Sequence, residues 1–286
     1  MSISVTAIEG APFGAVVEGW NPAEAPDDAL VSAVADALQK YLLLAFRGHK
    51  RPTDEQLAAF GAAFGPLIKG SGYFGNENRL PEILPVTNRL DEHGVPLGVG
   101  SSSGCDWHAD YSYMPTVGDI SFLECTEHPA AGGATYFCNM YEALEMLPEE
   151  LLNEVEGKSA FHDALNAERN TTAEDAEKKR ASGRHTIKQK PAASHPVIVA
   201  HPRTGRKTLY VNPMLTRYIK DVSAEKSHRV LEEIFAEAIR PERIYKHSWR
   251  KGDMVVWDTI GTVHRRDSFP SNEIRDMRQM STLFEI

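Results

Sequence analysis

Two short motifs, far apart in this 286-residue chain, constrain what it can fold into more than anything else in the sequence. Trp107-His108-Ala109-Asp110 places a histidine and a carboxylate two residues apart. On an extended strand such residues share a face, so an imidazole nitrogen and a carboxylate oxygen aim at one point. His264 lies far downstream, in Trp257-Asp258-Thr259-Ile260-Gly261-Thr262-Val263-His264-Arg265-Arg266-Asp267, and Arg275 follows eleven residues later. If His264 joins His108 and Asp110, the fold has to bring distant strands side by side.

Two imidazoles and one carboxylate on one face form a donor set that holds Fe(II) and leaves three coordination positions open. Cys105 lies close to His108, but thiolates favour zinc or copper, and it reads better as a free, half-buried cysteine. The three cysteines, Cys105, Cys125 and Cys138, form no CxxC pair and are odd in number. This implies a reducing, cytoplasmic setting without a disulfide framework. The formal net charge of -9 gives no electrostatic reason to bind nucleic acid or an anionic membrane. An anionic substrate therefore needs a local basic group. No segment has the apolar length of a membrane span, and Met1 to Gly10 lacks the basic start and apolar run of a secretion signal.

Along the chain, short strands are expected at 3–5 and 15–17, then a helix over 27–40 with Leu30, Val31, Val34, Ala37, Leu38 and Tyr41 at helical spacing. Residues 42–46 read as a buried strand. Thr53 and Gln56 form a capping-box pattern for a helix that stops at Gly65-Pro66. Loops are expected at 68–80 and 91–105, and strands at 82–87, 119–127 and 134–138. Asn139 with Glu142 caps a helix, and Pro148 starts another. Residues 166–194 are polar and poor in large apolar side chains, a composition that suits either a solvated excursion or a mobile lid. Strands at 195–199 and 207–211, a helix capped by Ser223, and strands at 243–249, 254–257 and 277–284 complete the chain. Many short strands with helices at the edges imply a mainly β fold with flanking helices (α+β), a sandwich or jelly roll, rather than alternating βαβ units.

Taken together, the motifs make the chain resemble the taurine/2,4-D dioxygenase (TauD/TfdA) family across nearly its whole length. The matching segments are 44–48 (LAFRG), 60–67 (FGAAFGPL), 107–110 (WHAD), 132–135 (GGAT), 204–212 (TGRKTLYVN) and 252–258 with His264-Arg265. The resemblance implies one domain over 1–286 with a double-stranded β-helix (jelly-roll, cupin-like) fold. It implies Fe(II), 2-oxoglutarate as cosubstrate and O2. His108, Asp110 and His264 become the iron ligands, and Thr135 and Arg275 hold the far carboxylate of 2-oxoglutarate; a guanidinium pairs with a carboxylate through two parallel hydrogen bonds. The implied reaction hydroxylates a small organic molecule at an unactivated C–H bond, releasing succinate and CO2. Where the hydroxyl lands on a heteroatom-bearing carbon, cleavage follows. Relatives commonly form dimers or tetramers.

The chain departs from family members that act on sulfonates and alkyl sulfates. They carry a second arginine four residues after the cosubstrate arginine; here that position is Gln279, and the neighbouring Arg278 should face the other way on a strand. Four residues before His108 stands Gly104, where the taurine enzyme has an asparagine. Tyr111 follows the carboxylate ligand, larger than the residue found there in the taurine enzyme. A less anionic substrate is expected, packed against Tyr111 and Tyr113 and near Gly104 and Gln279, with Lys69 a further source of positive charge. Two alternatives stand beside this reading: a zinc-dependent hydrolase using the same three ligands, and a non-catalytic binding protein of the same fold.

Overall fold

The computed structural model describes residues 3–69, 80–164 and 192–284. In chain order the strands are β1 (Ser4–Ala7), β2 (Ala15–Glu18), β3 (Leu43–Phe46), β4 (Leu84–Thr87), β5 (Cys105–His108), β6 (Gly118–Glu127), β7 (Thr135–Asn139), β8 (Ser159–Asp163), β9 (Ala192–Pro196), β10 (Ile198–Ala200), β11 (Lys207–Leu209), β12 (Thr216–Ile219), β13 (Ile244–His247), β14 (Met254–Asp258), β15 (Thr262–Arg266) and β16 (Asp276–Leu283). The helices are α1 (Asp28–Tyr41), α2 (Asp54–Ala62), α3 (Met140–Glu145), α4 (Glu149–Val155) and α5 (Ala224–Ala238). None of them is long and apolar enough to cross a membrane.

Two sheets carry the architecture. The larger has seven strands in the order β1-β2-β3-β14-β6-β16-β4, and the smaller has four, β13-β7-β15-β5. Period-two alternation explains how they stack. From β3, β6, β14 and β16, one set of side chains (Leu44, Phe46, Ile120, Phe122, Met254, Val256, Met280) packs with Leu30, Val34 and Leu38 of α1 and Leu57 and Phe60 of α2. The alternate set (Leu43, Ala45, Leu123, Val255, Trp257, Met277) packs with Phe137, Tyr245 and Trp249 of the smaller sheet's side. The outward residues of the smaller sheet, Cys138 and Val263, join Trp107 under α3, α4 and α5. The layers are helices, large sheet, inter-sheet core, small sheet, helices, which is the jelly roll expected.

Local chemistry sets the element ends. Asp27 caps α1 by accepting from Leu30 N, and Thr53 with Gln56 makes the full capping box of α2. Asn139 accepts from Tyr141 N and Glu142 N to start α3, and Ser223 caps α5. Three differences from the sequence reading stand out. The strand expected at 195–199 is divided: β9 pairs with β8, Val197 N donates to Lys158 O, and β10 pairs with β11. Pro196 has no N–H for a continuous ladder there. Strands β8 and β12 were not anticipated; they mix apolar with polar residues and give little alternation to read. The strand carrying the WHAD motif ends at His108, and Asp110 sits in the following turn.

The proposed lid falls largely outside the described residues, and its last part, 192–194, belongs to β9. Of the loop expected at 68–80, residues 70–79 also lie outside them.

Candidate active site

The smaller sheet supplies the two histidines. Strands β5 and β15 are antiparallel, and His108 and His264 are direct partners in the register. Their rings lie 4.1 Å apart between centroids. Both side chains project to the inter-sheet face, whereas the alternate residues Trp107 and Val263 join the outer apolar cluster. Asp110 arrives by a different route from a plain strand. Tyr111 adopts φ 61°, a left-handed conformation, which turns the chain just past the carboxylate. Asp110 Oδ1 then lies 3.7 Å from His108 Nε2, and Asp110 Oδ2 lies 3.9 Å from His264 Nε2. One ligand atom from each of the three residues falls within 4.8 Å of the others.

Each group is held by its surroundings. His108 Nδ1 is 2.8 Å from Asp106 O, which leaves Nε2 to face the centre. Its Nδ1 is also 3.7 Å from Cys105 Sγ. His264 is gripped by rings: Phe137 stacks on it at 5.7 Å and Trp257 meets it edge-on at 5.2 Å. Asp110 Oδ2 accepts from Gln279 Nε2 at 2.9 Å and from Ser121 Oγ at 3.4 Å. Burial, with the charges of His108 and Arg275, pushes the His264 pKa well below its ordinary value, so the ring is neutral with a lone pair to give. Burial also lowers His108, but the nearby Cys105 and Asp110 outweigh it and raise the imidazole to about 10, so a metal ion ligated by this ring has to displace its proton. Burial pushes the Asp110 carboxyl up, against His108 and its two hydrogen-bond donors.

A second cluster lies beside the first. Arg275 is buried, with Nε donating to Gly133 O at 3.3 Å and an Nη group to Thr135 Oγ1 at 3.4 Å. Thr135 Oγ1 also accepts from Trp249 Nε1 at 2.9 Å. A hydroxyl that accepts twice keeps its own proton to donate. Among the described residues no carboxylate pairs with Arg275, and burial with the like charge of Arg266 lowers its pKa to about 9. A buried guanidinium in that condition, next to a free hydroxyl proton, is suited to a carboxylate from a ligand. The donor set of His108, Asp110 and His264 likewise fits a divalent ion with N,N,O ligation and open positions.

The residues proposed to meet substrate are more dispersed. Tyr111 is buried, its ring 6.2 Å from that of Tyr113. Gly104 lies against backbone: an added Cβ would stand 3.2 Å from Arg266 O. Lys69 is exposed, one residue past Ile68, whose N–H donates to Ser281 O. Gln279 spends its amide N–H on Asp110. Arg278 faces the other way, as alternation requires, donating to Glu124, Asp54 and Pro52 O. Trp249 and Ser121 went unnoticed in the sequence, since no local spacing ties either of them to the motifs.

Comparison with known proteins agrees with this geometry. The family model described as taurine catabolism dioxygenase TauD, TfdA family matches residues 5–281. Pentalenolactone F synthase of Streptomyces avermitilis is 36% identical, covering 99% of this chain and 95% of that protein. The alpha-ketoglutarate-dependent 2,4-dichlorophenoxyacetate dioxygenase of Cupriavidus pinatubonensis is 28% identical over 95% of this chain and 94% of its own length. Among solved structures, AAD-2 in complex with Mn(II) and N-oxalylglycine superimposes with a TM-score of 0.77 at 25% identity, covering 100% of this chain and 99% of that one. The chain therefore belongs to the TauD/TfdA family and is an Fe(II)- and 2-oxoglutarate-dependent dioxygenase.

Proposed function

We propose that His108, Asp110 and His264 hold the iron, that Arg275 and Thr135 hold the far carboxylate of 2-oxoglutarate, and that the enzyme hydroxylates a small organic molecule carrying no anionic group where it approaches the metal. The observation that carries this reading is the convergence of three ligand atoms within 4.8 Å beside a buried arginine that lacks a carboxylate partner among the described residues. When bound, iron with 2-oxoglutarate and O2 supplies the oxidising power that turns C–H into C–OH while the cosubstrate becomes succinate and CO2.

The chain's own residues do the rest. His108, His264 and Asp110 would hold the ion through two imidazoles and one carboxylate, a donor set that leaves room for cosubstrate and O2. Arg275 presents its remaining N–H groups, and Thr135 its hydroxyl proton, to the distal carboxylate, fixing the cosubstrate's direction of approach. Trp257, Phe137 and Met277 wall the inter-sheet side with apolar surface, which excludes water from the reacting centre. The loss of a second inward arginine at position 279 supports a substrate recognised by packing, against Tyr111 and Tyr113, rather than by an anion grip. The names of the relatives, a pentalenolactone F synthase and a 2,4-dichlorophenoxyacetate dioxygenase, support a small-molecule substrate. A single domain fits the family match over 5–281, and three cysteines that form no disulfide among the described residues fit a reducing cytoplasm.

The test is succinate formation by anaerobically Fe(II)-loaded protein supplied with 2-oxoglutarate and then O2. Slow turnover without primary substrate is expected, lost in His108→Ala, and accelerated by the right substrate in a screen. Absence of succinate from the unaltered protein, with zinc retained through purification, would overturn the reading.

A further inference from the structure

Gln279 borders the candidate metal centre, and its amide is committed to Asp110. Position 279 lies on β16, on the same face as Ser281, and Ser281 is the direct register partner of Ser121 on β6. Around Asp110 these residues form one connected set. Gln279 Nε2 donates to Asp110 Oδ2 at 2.9 Å, and Ser121 Oγ reaches the same oxygen at 3.4 Å. Ser121 Oγ is in turn 2.9 Å from Ser281 Oγ and accepts from Thr259 Oγ1 at 2.9 Å. An ionised carboxylate only accepts, so the amide must present its NH2 end to Asp110. Both donors that reach Asp110, from Gln279 and Ser121, converge on Oδ2. Among the described residues Oδ1, the oxygen 3.7 Å from His108 Nε2, receives no hydrogen bond.

The asymmetry matters because a carboxylate torsion is soft, with broad, roughly two-fold wells. An unrestrained Asp110 can rotate, or chelate an ion through both oxygens and fill a position that cosubstrate or O2 needs. We infer that Gln279 is a positioning residue for the metal centre: it ties down one oxygen of Asp110 so that the other alone faces the ion, and in doing so it gives up any role as a substrate-anion anchor. This rests on the ligand assignment proposed above. Partners of ligating groups are typically worth tenfold to a hundredfold in metal affinity, because they fix the orientation of the ligand.

The experiment is a Co(II) titration of the apoprotein, followed by visible absorption, on the unaltered chain and three variants. Gln279→Leu keeps bulk but removes the donor, and it should weaken Co(II) binding by roughly tenfold or more and alter the band shape. Gln279→Arg restores an N–H donor and should return affinity to within about threefold of the starting protein, as a restored hydrogen bond of ordinary strength requires. Circular dichroism of the metal-free variants separates folding from ligation; if Gln279→Leu does not fold, Gln279→Met and the Gln279→Arg rescue carry the test. Unchanged Co(II) affinity and spectrum in a folded Gln279→Leu would overturn the inference. His108→Ala serves as the separate control. If the unaltered chain binds Co(II) no better than His108→Ala, the ligand assignment itself has failed, whatever Gln279 does.

Discussion

Arg275 shows how burial and pairing together shape the group proposed to hold the cosubstrate. Its guanidinium is 4% exposed, contacts a backbone carbonyl and a hydroxyl, and stays charged at neutral pH even with its pKa lowered to about 9. A hydrogen bond to a charged group contributes about 1.5–3 kcal/mol. Arg275→Met should therefore raise the KM for 2-oxoglutarate by roughly tenfold to a hundredfold while leaving metal binding nearly intact; initial rates of succinate formation against cosubstrate concentration check this. Trp249→Phe is a milder change. It frees Thr135 Oγ1 from its indole donor, a loss of about 1 kcal/mol, and should raise the same KM about fivefold. Thr135 and Arg275 were legible from a short motif and a spacing to His264. Trp249 was not, because it reaches Thr135 from two residues past β13, whose last residue, His247, pairs with Thr135, and no local pattern encodes that.

At the scale of elements, the turn between β14 and β15 decides where His264 stands. Asp258 Oδ1 accepts from Ile260 N and Gly261 N, and Tyr141 donates from its hydroxyl to Asp258 Oδ2 at 2.7 Å. Gly261 sits directly under the tyrosine ring: a Cβ there would lie 2.0 Å from Tyr141 Cε2. Gly261→Ala should destabilise the fold by about 1–3 kcal/mol or more and lower metal affinity with it, read by chemical denaturation and Co(II) titration. The β8–β12 pair carries a pH effect. His162 is fully buried, with Nδ1 3.2 Å from Thr216 Oγ1 and no partner for Nε2 among the described residues. Burial, with the neighbouring His195, lowers its pKa to about 3. The unfolded chain binds a proton at this site below about pH 6.5 and the folded chain does not, so stability falls as pH drops from 6.5 towards 3. Two pH units of acidification should cost about 2–3 kcal/mol at this site alone. His195 and His247 are shifted the same way by burial and steepen the slope. Urea midpoints between pH 7 and 5 should decline in the unaltered chain and decline less in His162→Phe. Helix caps were legible because their residue types act locally. The division of the 195–199 strand was not, since alternation cannot tell which neighbour each half will pair with. Nor was the placement of Asp110 in a turn, because nothing in the sequence marks Tyr111 for a positive φ.

Across the whole molecule, the centre depends on both sheets. The smaller sheet contributes His108 and His264, and the larger contributes Gln279 and Ser121, which hold Asp110 from the other side of the inter-sheet space. Of the three proposed ligands, His264 lies far from His108 and Asp110 in sequence and becomes their neighbour only once the jelly roll has closed. The family motifs made this architecture readable before any coordinates, because each is tied to a fixed place in the fold. The grip that the large sheet keeps on Asp110 became visible only in three dimensions. The most direct measurement is an anaerobic titration of the Fe(II)-loaded protein with 2-oxoglutarate, following the visible charge-transfer absorption that appears when an α-keto acid chelates ferrous iron. The unaltered chain should develop the band and saturate near one equivalent, His264→Ala should not develop it, and Arg275→Met should need far more cosubstrate to reach it. No band from the unaltered chain, or an undiminished band from His264→Ala, would contradict the assignment of the centre.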